Sequence, residues 1–524
     1  MKNDNGATNS YVQDNTYNSN FNASQAPILL SYVAATAGFA PPEPERPFRY
    51  VELGCGSGVT LNGLAAAYPQ GSFVGVDFNA QNIAMARGTA MVAGLGNVRY
   101  IEAAFSALDV SALAPADYIA CVGTYSWLDD AEKAALIRVA GGSLKSGGLL
   151  NLGFVTLGRA AVTPMWQVLR GLVPAGGPGS LERVKAGIGL LARLRDHGAK
   201  YLQQNPQALA LLNDVHQEEA SGDIPALTNL SHNLLAEGYR VELLDEVAAG
   251  LAGAGLEFAG SAAPFSNDPD LCVPAALREC HDGLPNRVAQ ELFKDFLGAT
   301  VARFDVFIKG ARPDTVASHR YLIDRSRVTL VGDRAETWQQ LERPGWTSFN
   351  LATPAMRYVF DRIADGVGGI AALVQGAPHS AEDVCDAYFK LVASPGFDLC
   401  FDAPVATGSQ LPSRVNPSSG YNRLALKAAL DGAIGVNMAA PGLGSCVPVT
   451  VPGSMLLAEF CASGTVASDQ AMHARLSERV AAMPGLDASV LHQVRDPESF
   501  AALHREIGGR VLPMLLRFGA IRAD

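Results

Sequence analysis

The chain is short of charge, of aromatic residues and of paired cysteines, and each shortage removes a class of function. Charged residues make up 17% of the 524, aromatic residues 7%, and acids outnumber bases by 51 to 40, giving a formal net charge of -11. An acidic surface repels a phosphate backbone, which argues against a general nucleic-acid partner. The eight cysteines (Cys55, Cys121, Cys272, Cys280, Cys385, Cys400, Cys446 and Cys461) contain no C-x-x-C pair, the spacing of zinc ribbons and thioredoxin-like sites. The nine histidines form no cluster with ligand spacing, so no metal is expected. No apolar run opens the chain, whose Met1-Lys-Asn-Asp start is polar and asparagine-rich, unlike a signal peptide. The longest uncharged stretch, 432–458, holds Pro441, Pro448, Pro452 and five glycines. Those residues interrupt a membrane helix and read as loops and short strands. The expected setting is cytoplasmic, without stable membrane insertion.

What is present centres on Arg49-Tyr-Val-Glu-Leu-Gly-Cys-Gly-Ser-Gly58. Tyr50, Val51 and Leu53 read as a buried strand that ends in Gly54, Gly56 and Gly58, with Cys55 between the first two. Alternate glycines permit a tight turn and close approach of a ligand to the backbone. The helix read from Val59 to Tyr68 opens from this turn, so its N-terminus favours an anionic group. A second apolar strand, Ser72 to Val76, ends in Asp77 and Phe78, and an acid there suits a ribose hydroxyl pair. Glu52 precedes the turn, where a carboxylate meets the amino group of a zwitterionic ligand. The spacing G-x-G-x-G differs from the G-x-G-x-x-G that suits a dinucleotide pyrophosphate.

Glu52-Leu-Gly-Cys-Gly-Ser-Gly58 and Asp77 together resemble the S-adenosylmethionine site of class I methyltransferases. The expected cofactor residues are Glu52, Gly54, Cys55, Gly56, Gly58, Asp77, Phe78, Ala104, Phe105 and Gly123. Ala103-Ala104-Phe105 follows the third strand, where backbone and an apolar ring hold an adenine. Tyr17, one of three aromatics with Tyr11 and Phe21 in the polar N-terminal stretch, is a candidate lid residue over the cofactor.

The rest of the chain alternates strands and helices: strands at Val98–Ile101, Tyr118–Val122 and Leu149–Val155, helices at Ala80–Val92 and Asp130–Leu144. That order means a parallel sheet with helices on both faces. Residues 160–235 lack strand runs and read as a helical insertion that serves dimerisation or covers substrate. Alternation resumes with a helix at 241–254 and strands at Leu256–Ser261 and Arg303–Lys309. The expected fold is an α/β, Rossmann-like class I methyltransferase sheet with a helical insertion and an α+β C-terminal domain. Its parts are a flexible segment or lid (1–24), a discontinuous catalytic domain (25–159 and 236–312), the insertion, and a C-terminal domain for substrate recognition (313–524). The C-terminal pattern is compatible with a small winged-helix-like unit.

Methyl transfer from a sulfonium is an in-line displacement that needs alignment more than covalent help. The acceptor meets the methyl group just beyond the fourth strand, here Val122-Gly-Thr-Tyr-Ser-Trp127. No Asp/Asn-Pro-Pro-Tyr turn stands there, which weighs against nucleobase amines and glutamine. Tyr125 and Trp127 are the candidate acceptor-site residues, two ring faces suited to a cation. Asp129 and Asp130 read as helix caps, and His232 as a structural histidine.

A narrower resemblance rests on Thr124-Tyr-Ser-Trp127, Ser231-His-Asn-Leu-Leu235 and Phe304-Asp-Val-Phe-Ile-Lys-Gly310. Over roughly residues 15–312 the chain resembles bacterial methyltransferases with a methyltransferase regulatory domain, including the rickettsial lysine methyltransferases acting on outer-membrane protein B. Those relatives read His-Gly-Val-Tyr-Ser-Trp and His-Glu-Tyr. This chain has Val122-Gly-Thr-Tyr-Ser-Trp127 and His232-Asn-Leu234, departures that bear on the acceptor and not on the cofactor. The resemblance implies a cytoplasmic homodimer that N-methylates lysine side chains of a protein, an unfolded envelope protein among the candidates. Two other readings stay open on the residues alone: a small-molecule O- or N-methyltransferase, and a non-catalytic S-adenosylmethionine sensor.

Overall fold

The computed structural model describes residues 20–113, 115–173, 179–222, 224–310, 312–342, 351–401, 414–431, 435–463, 469–483 and 486–523. Seven apolar runs collect into one sheet: β1 (Arg49–Leu53), β2 (Ser72–Asp77), β3 (Val98–Glu102), β4 (Ala116–Cys121), β5 (Leu144–Val155), β6 (Leu256–Ser261) and β7 (Ala302–Lys309). They hydrogen-bond in the order β3-β2-β1-β4-β5-β7-β6. Only β7 runs against its neighbours, β5 and β6. This is the class I methyltransferase sheet, completed by two strands that follow the helical insertion. The strand order reverses at β1, flanked by β2 on one side and β4 on the other, which opens a crevice at the strands' carboxyl ends.

The sheet is legible as apolar runs because helices cover both its faces. One face carries Val51, Leu53, Val74, Val76, Ile119 and Cys121, packed on Leu136, Val139, Leu244 and Leu251 of the helices Asp130–Ser143 and Leu244–Ala252. The alternate residues Tyr50, Phe73 and Tyr118 face the other way, with Phe48 edge-on to Tyr68, Phe73 and Tyr118 at 5.4, 5.7 and 5.3 Å.

In the insertion, the helices Thr163–Leu172, Ser180–Asp196, Pro206–Ser221 and Ile224–Leu235 pack around Trp166, Leu169, Ile188, Leu212 and Leu227. The C-terminal part shares the core of the sheet's second face, where Tyr321, Phe360 and Tyr388 join the cluster that holds Tyr32 and Tyr68. Gly420 opens the helix Gly420–Leu430 so close to the helix Ala80–Ala93 that an added Cβ would sit 2.2 Å from the Ala93 carbonyl oxygen.

Two expectations need correction. The uncharged stretch yields two short paired strands, Val436–Ala440 and Ser445–Val449, but then a helix, Val451–Ser463. Pro452 lies in its first turn, where the missing N–H has no partner to lose. Among the described residues no helix is long and apolar enough to cross a membrane. The N-terminal stretch is also not free up to residue 24. The Asn22 N–H donates to Thr60 Oγ1 at 3.1 Å, and Asn151 Nδ2 donates to the Ser24 carbonyl at 2.8 Å.

Candidate active site

The glycine turn is built by two hydrogen bonds and three left-handed residues. The N–H groups of Gly54 and Cys55 both donate to the Val76 carbonyl, at 2.8 and 3.0 Å, which locks the end of β1 to the end of β2. Gly54 has φ +77, and a Cβ there would lie 2.3 Å from Thr124 Oγ1. Gly56 has φ +52, and a Cβ there would meet nothing within 4 Å. Gly56 therefore faces open space, and that space is a cavity of about 560 Å³.

Of the cofactor residues expected from sequence, Glu52, Gly54, Cys55, Gly56, Asp77, Phe78, Ala104, Phe105 and Gly123 line this one cavity. Gly58 does not line it. At φ +74 it caps the helix Val59–Ala67, and a Cβ would lie 2.7 Å from the Tyr100 hydroxyl, so it shapes the turn rather than touching a ligand. Tyr17 lies outside the described residues.

Two carboxylates set the electrostatics. Glu52 is 5% exposed, and its Oε2 has no hydrogen-bond partner among the described residues. Burial pushes its carboxyl up to about 8, against a hydrogen bond from Gln25 that favours the charged form. Asp77 Oδ2 accepts from the Gly56 N–H and Oδ1 from the Asn79 N–H, both at 2.9 Å. Burial raises Asp77 too, opposed by those two N–H groups and by the Asn82 side chain.

These residues fit S-adenosylmethionine. The buried orphan oxygen of Glu52 requires a donor, and an ammonium supplies one. A carboxylate offers about four lone-pair sites, so Asp77 keeps acceptor capacity beyond the two backbone N–H groups and the Asn82 side chain, which suits a ribose diol. Phe78, Ala104 and Phe105 offer apolar cover for a purine. Phe105 is held in place because its N–H donates to Glu132 Oε2 at 2.9 Å.

The acceptor end parts the two rings expected there. Trp127 lines the cavity, with its ring 5.7 Å from Tyr239 and its buried Nε1 without a partner among the described residues. Tyr125 does not reach the cavity. It packs beneath the helix Asp130–Ser143, with Lys133 Nζ 5.1 Å from its ring centre, and burial pushes its phenol up to about 12. The cause is local: Tyr125–Trp127 is a 3-10 turn, which rotates about 120° per residue and cannot aim both rings one way. Asp129 caps its helix, accepting from the Glu132 N–H at 2.9 Å, and also lines the cavity.

The sequence reading missed part of the wall. Asn20, Asn22 and Gln25 come from the N-terminal stretch, His232 and Asn233 from the insertion's last helix, and Phe304 from β7. His232, read from sequence as a structural histidine, is 2% exposed and lines the cavity. Among the described residues no group of three or more His, Cys, Asp or Glu is placed to hold a metal ion.

Residues 51–148 match the family model of a methyltransferase domain, and residues 228–309 that of a predicted methyltransferase regulatory domain. An uncharacterized protein of Synechocystis sp. is 27% identical over 322 residues, 61% of this chain and 62% of that protein. An uncharacterized protein of Rickettsia prowazekii is 31% identical over 144 residues, 28% of this chain and 25% of that protein. The alignment thus spans about three fifths of the first relative and a quarter of the second. Among solved structures, PKMT2 from Rickettsia typhi in complex with AdoHcy superposes with TM-score 0.65 at 16% identity, covering 96% of this chain and 99% of that one. Residues 51–148 are thus similar to the methyltransferase domain family and residues 228–309 to the methyltransferase regulatory domain family, and S-adenosylmethionine is the cofactor that the glycine-lined cavity fits.

Proposed function

We propose that the chain transfers the methyl group of S-adenosylmethionine to the ε-amino group of lysine in a protein. The observation that carries the methyl-transfer reading is the buried Glu52 oxygen without a partner, set beside the open face of Gly56 and the two anchored oxygens of Asp77. The lysine part is supported by the resemblance carried by Gly123-Thr-Tyr-Ser-Trp127 and by the whole-chain likeness to PKMT2. A homodimer acting in the cytoplasm on an unfolded envelope protein belongs to the same proposal, on the same resemblance.

The chemistry follows from the walls. The cofactor supplies an electrophilic methyl group on a positively charged sulfur. Glu52 holds the ammonium end, Asp77 the ribose, and Gly56 lets the backbone come close. A lysine ammonium has a pKa near ~10.4 in water and must lose a proton before it attacks. Trp127, Leu128 and Phe304 surround the acceptor end with apolar surface, and desolvation there favours the neutral amine. The amine nitrogen bonds to the methyl carbon as the carbon–sulfur bond breaks, and the positive charge passes from sulfur to nitrogen.

Purified protein, methyl-labelled S-adenosylmethionine and lysate of the source cell test the reading directly. Label is expected in protein, mapped by mass spectrometry to lysine, and absent with Asp77→Ala. Label confined to small molecules would replace the protein acceptor, and cofactor binding without any transfer would replace the enzyme by a sensor.

A further inference from the structure

A second cavity, of about 540 Å³, lies at the same end of the sheet. Phe304 lines both cavities. It sits across β5 from the tip of β4: a Cβ added to Gly153 would lie 3.0 Å from Val122 Cγ1 and 3.3 Å from Phe304 Cδ1. The second cavity therefore adjoins the first across Phe304. The segment after β6 and the helix Arg287–Gly298 form its other walls.

A buried charge network stands in that wall. Arg303 Nε pairs with Asp305 Oδ2 at 2.6 Å, Nη1 with Asp295 Oδ1 at 2.7 Å, and Nη2 with Glu291 Oε2 at 3.0 Å. Lys294 Nζ lies 2.6 Å from Glu291 Oε1 and donates to the Ser266 carbonyl at 2.6 Å. Every nitrogen of Arg303 is thus engaged, and Arg287 adds a third cation that acts on Glu291 and Asp305. Arg287 stands nearby with its guanidinium over the Phe258 ring, 5.5 Å from the centroid. One acceptor is left over. Asp295 is 2% exposed, lines the cavity, and its Oδ2 makes no hydrogen bond among the described residues. Burial raises its carboxyl, opposed by the Arg303 charge and the Thr300 hydroxyl.

A buried carboxylate oxygen with no donor among the described residues, set in a cavity wall, is an acceptor open to a donor that enters the cavity. We propose that the second cavity receives a cationic side chain of the acceptor protein, a lysine neighbouring the methylated one, whose ammonium donates to Asp295 Oδ2. This inference rests on the protein-acceptor reading above. It makes the pocket behind Phe304 a specificity determinant: it selects a protein segment with two nearby positive side chains, one in each cavity.

The test compares wild type, Asp295→Asn and Ala263→Trp. The first keeps Oδ1 as acceptor for Arg303 and removes the charge. The second leaves the network intact and fills the cavity from its exposed rim, where Ala263 lies. Both variants are expected to raise the KM for the protein acceptor about tenfold or more, with S-adenosylmethionine affinity and kcat within about twofold of wild type. The probe n-butylammonium is expected to bind wild type by calorimetry, to compete with the protein acceptor but not with S-adenosylmethionine, and to lose binding in both variants. Unchanged KM and unchanged probe binding in both variants, or no probe binding in wild type, would overturn the inference. Absence of any protein methylation by wild type is a separate failure, of the function proposed above, and the calorimetric arm still decides whether the pocket takes a cation.

Discussion

Glu52 couples cofactor binding to protons. With its carboxyl at about 8, it is mostly protonated in the cofactor-free protein at neutral pH. An ammonium beside Oε2 favours the carboxylate, so binding releases a proton and affinity weakens as pH falls from 8 toward 6. Calorimetry in buffers of different ionisation enthalpy reads that proton; no release at pH 7 would remove Glu52 from the amino-group role. For stability the sign is reversed. The folded value lies above the ordinary 4.5, so the folded state binds more protons between 4.5 and 8 and loses stability as pH rises through that window. Glu52→Gln is therefore expected to raise Tm above pH 7 while weakening S-adenosylmethionine about tenfold or more. The glycines separate by the same logic. Gly56→Val places a branched side chain at φ +52 in the cavity and should abolish cofactor binding in a folded protein, seen by circular dichroism and calorimetry together. At this scale the sequence distinguished poorly between neighbours: Gly56 and Gly58, or Tyr125 and Trp127, differ in role because of local turn geometry that spacing alone does not encode.

Among elements, β7 bears most on the site. It brings Phe304 to the cofactor cavity and Arg303 to the buried carboxylates Glu291, Asp295 and Asp305. Arg303→Met strands Asp295 and Asp305, Glu291 keeping Lys294, and is expected to cost about 3–5 kcal/mol, measured by denaturant unfolding; a loss under about 1 kcal/mol would mean the network contributes little. The strands themselves were readable because burial on both faces leaves continuous apolar runs. Asn22 and Gln25 were not readable, since a polar strap held by single hydrogen bonds to Tyr50, Thr60 and Asn151 has no periodicity. The helix Val451–Ser463 was hidden by Pro452, which breaks a helix interior but not its first turn.

Across the whole molecule, one core joins what the sequence divided. Tyr32 of the helix Pro27–Thr36 lies 6.4 Å from Phe389 of the C-terminal part, and Tyr68 lies 5.9 Å from Phe401. Tyr68 also accepts the Ile28 N–H at 3.2 Å, so the residues it meets through 401 cover the back of the cofactor sheet. A chain cut after residue 312 would expose that apolar face, and it is expected to be insoluble or to unfold at lower temperature than the full chain. A soluble fragment with full cofactor affinity would show the C-terminal part to be a separate module. Composition alone suggested such a module because the boundary near Arg312-Pro313 is polar, whereas packing is a property of distant pairs that no local window reports.

The central claim is that the glycine-lined cavity binds S-adenosylmethionine and passes its methyl group to protein. Side-by-side transfer assays with methyl-labelled S-adenosylmethionine and source-cell lysate, using wild type and Gly56→Val, test it most directly. The account predicts labelled lysine in protein with wild type and none with the variant. Equal labelling by both, or a wild type that neither binds the cofactor nor transfers label, would contradict it.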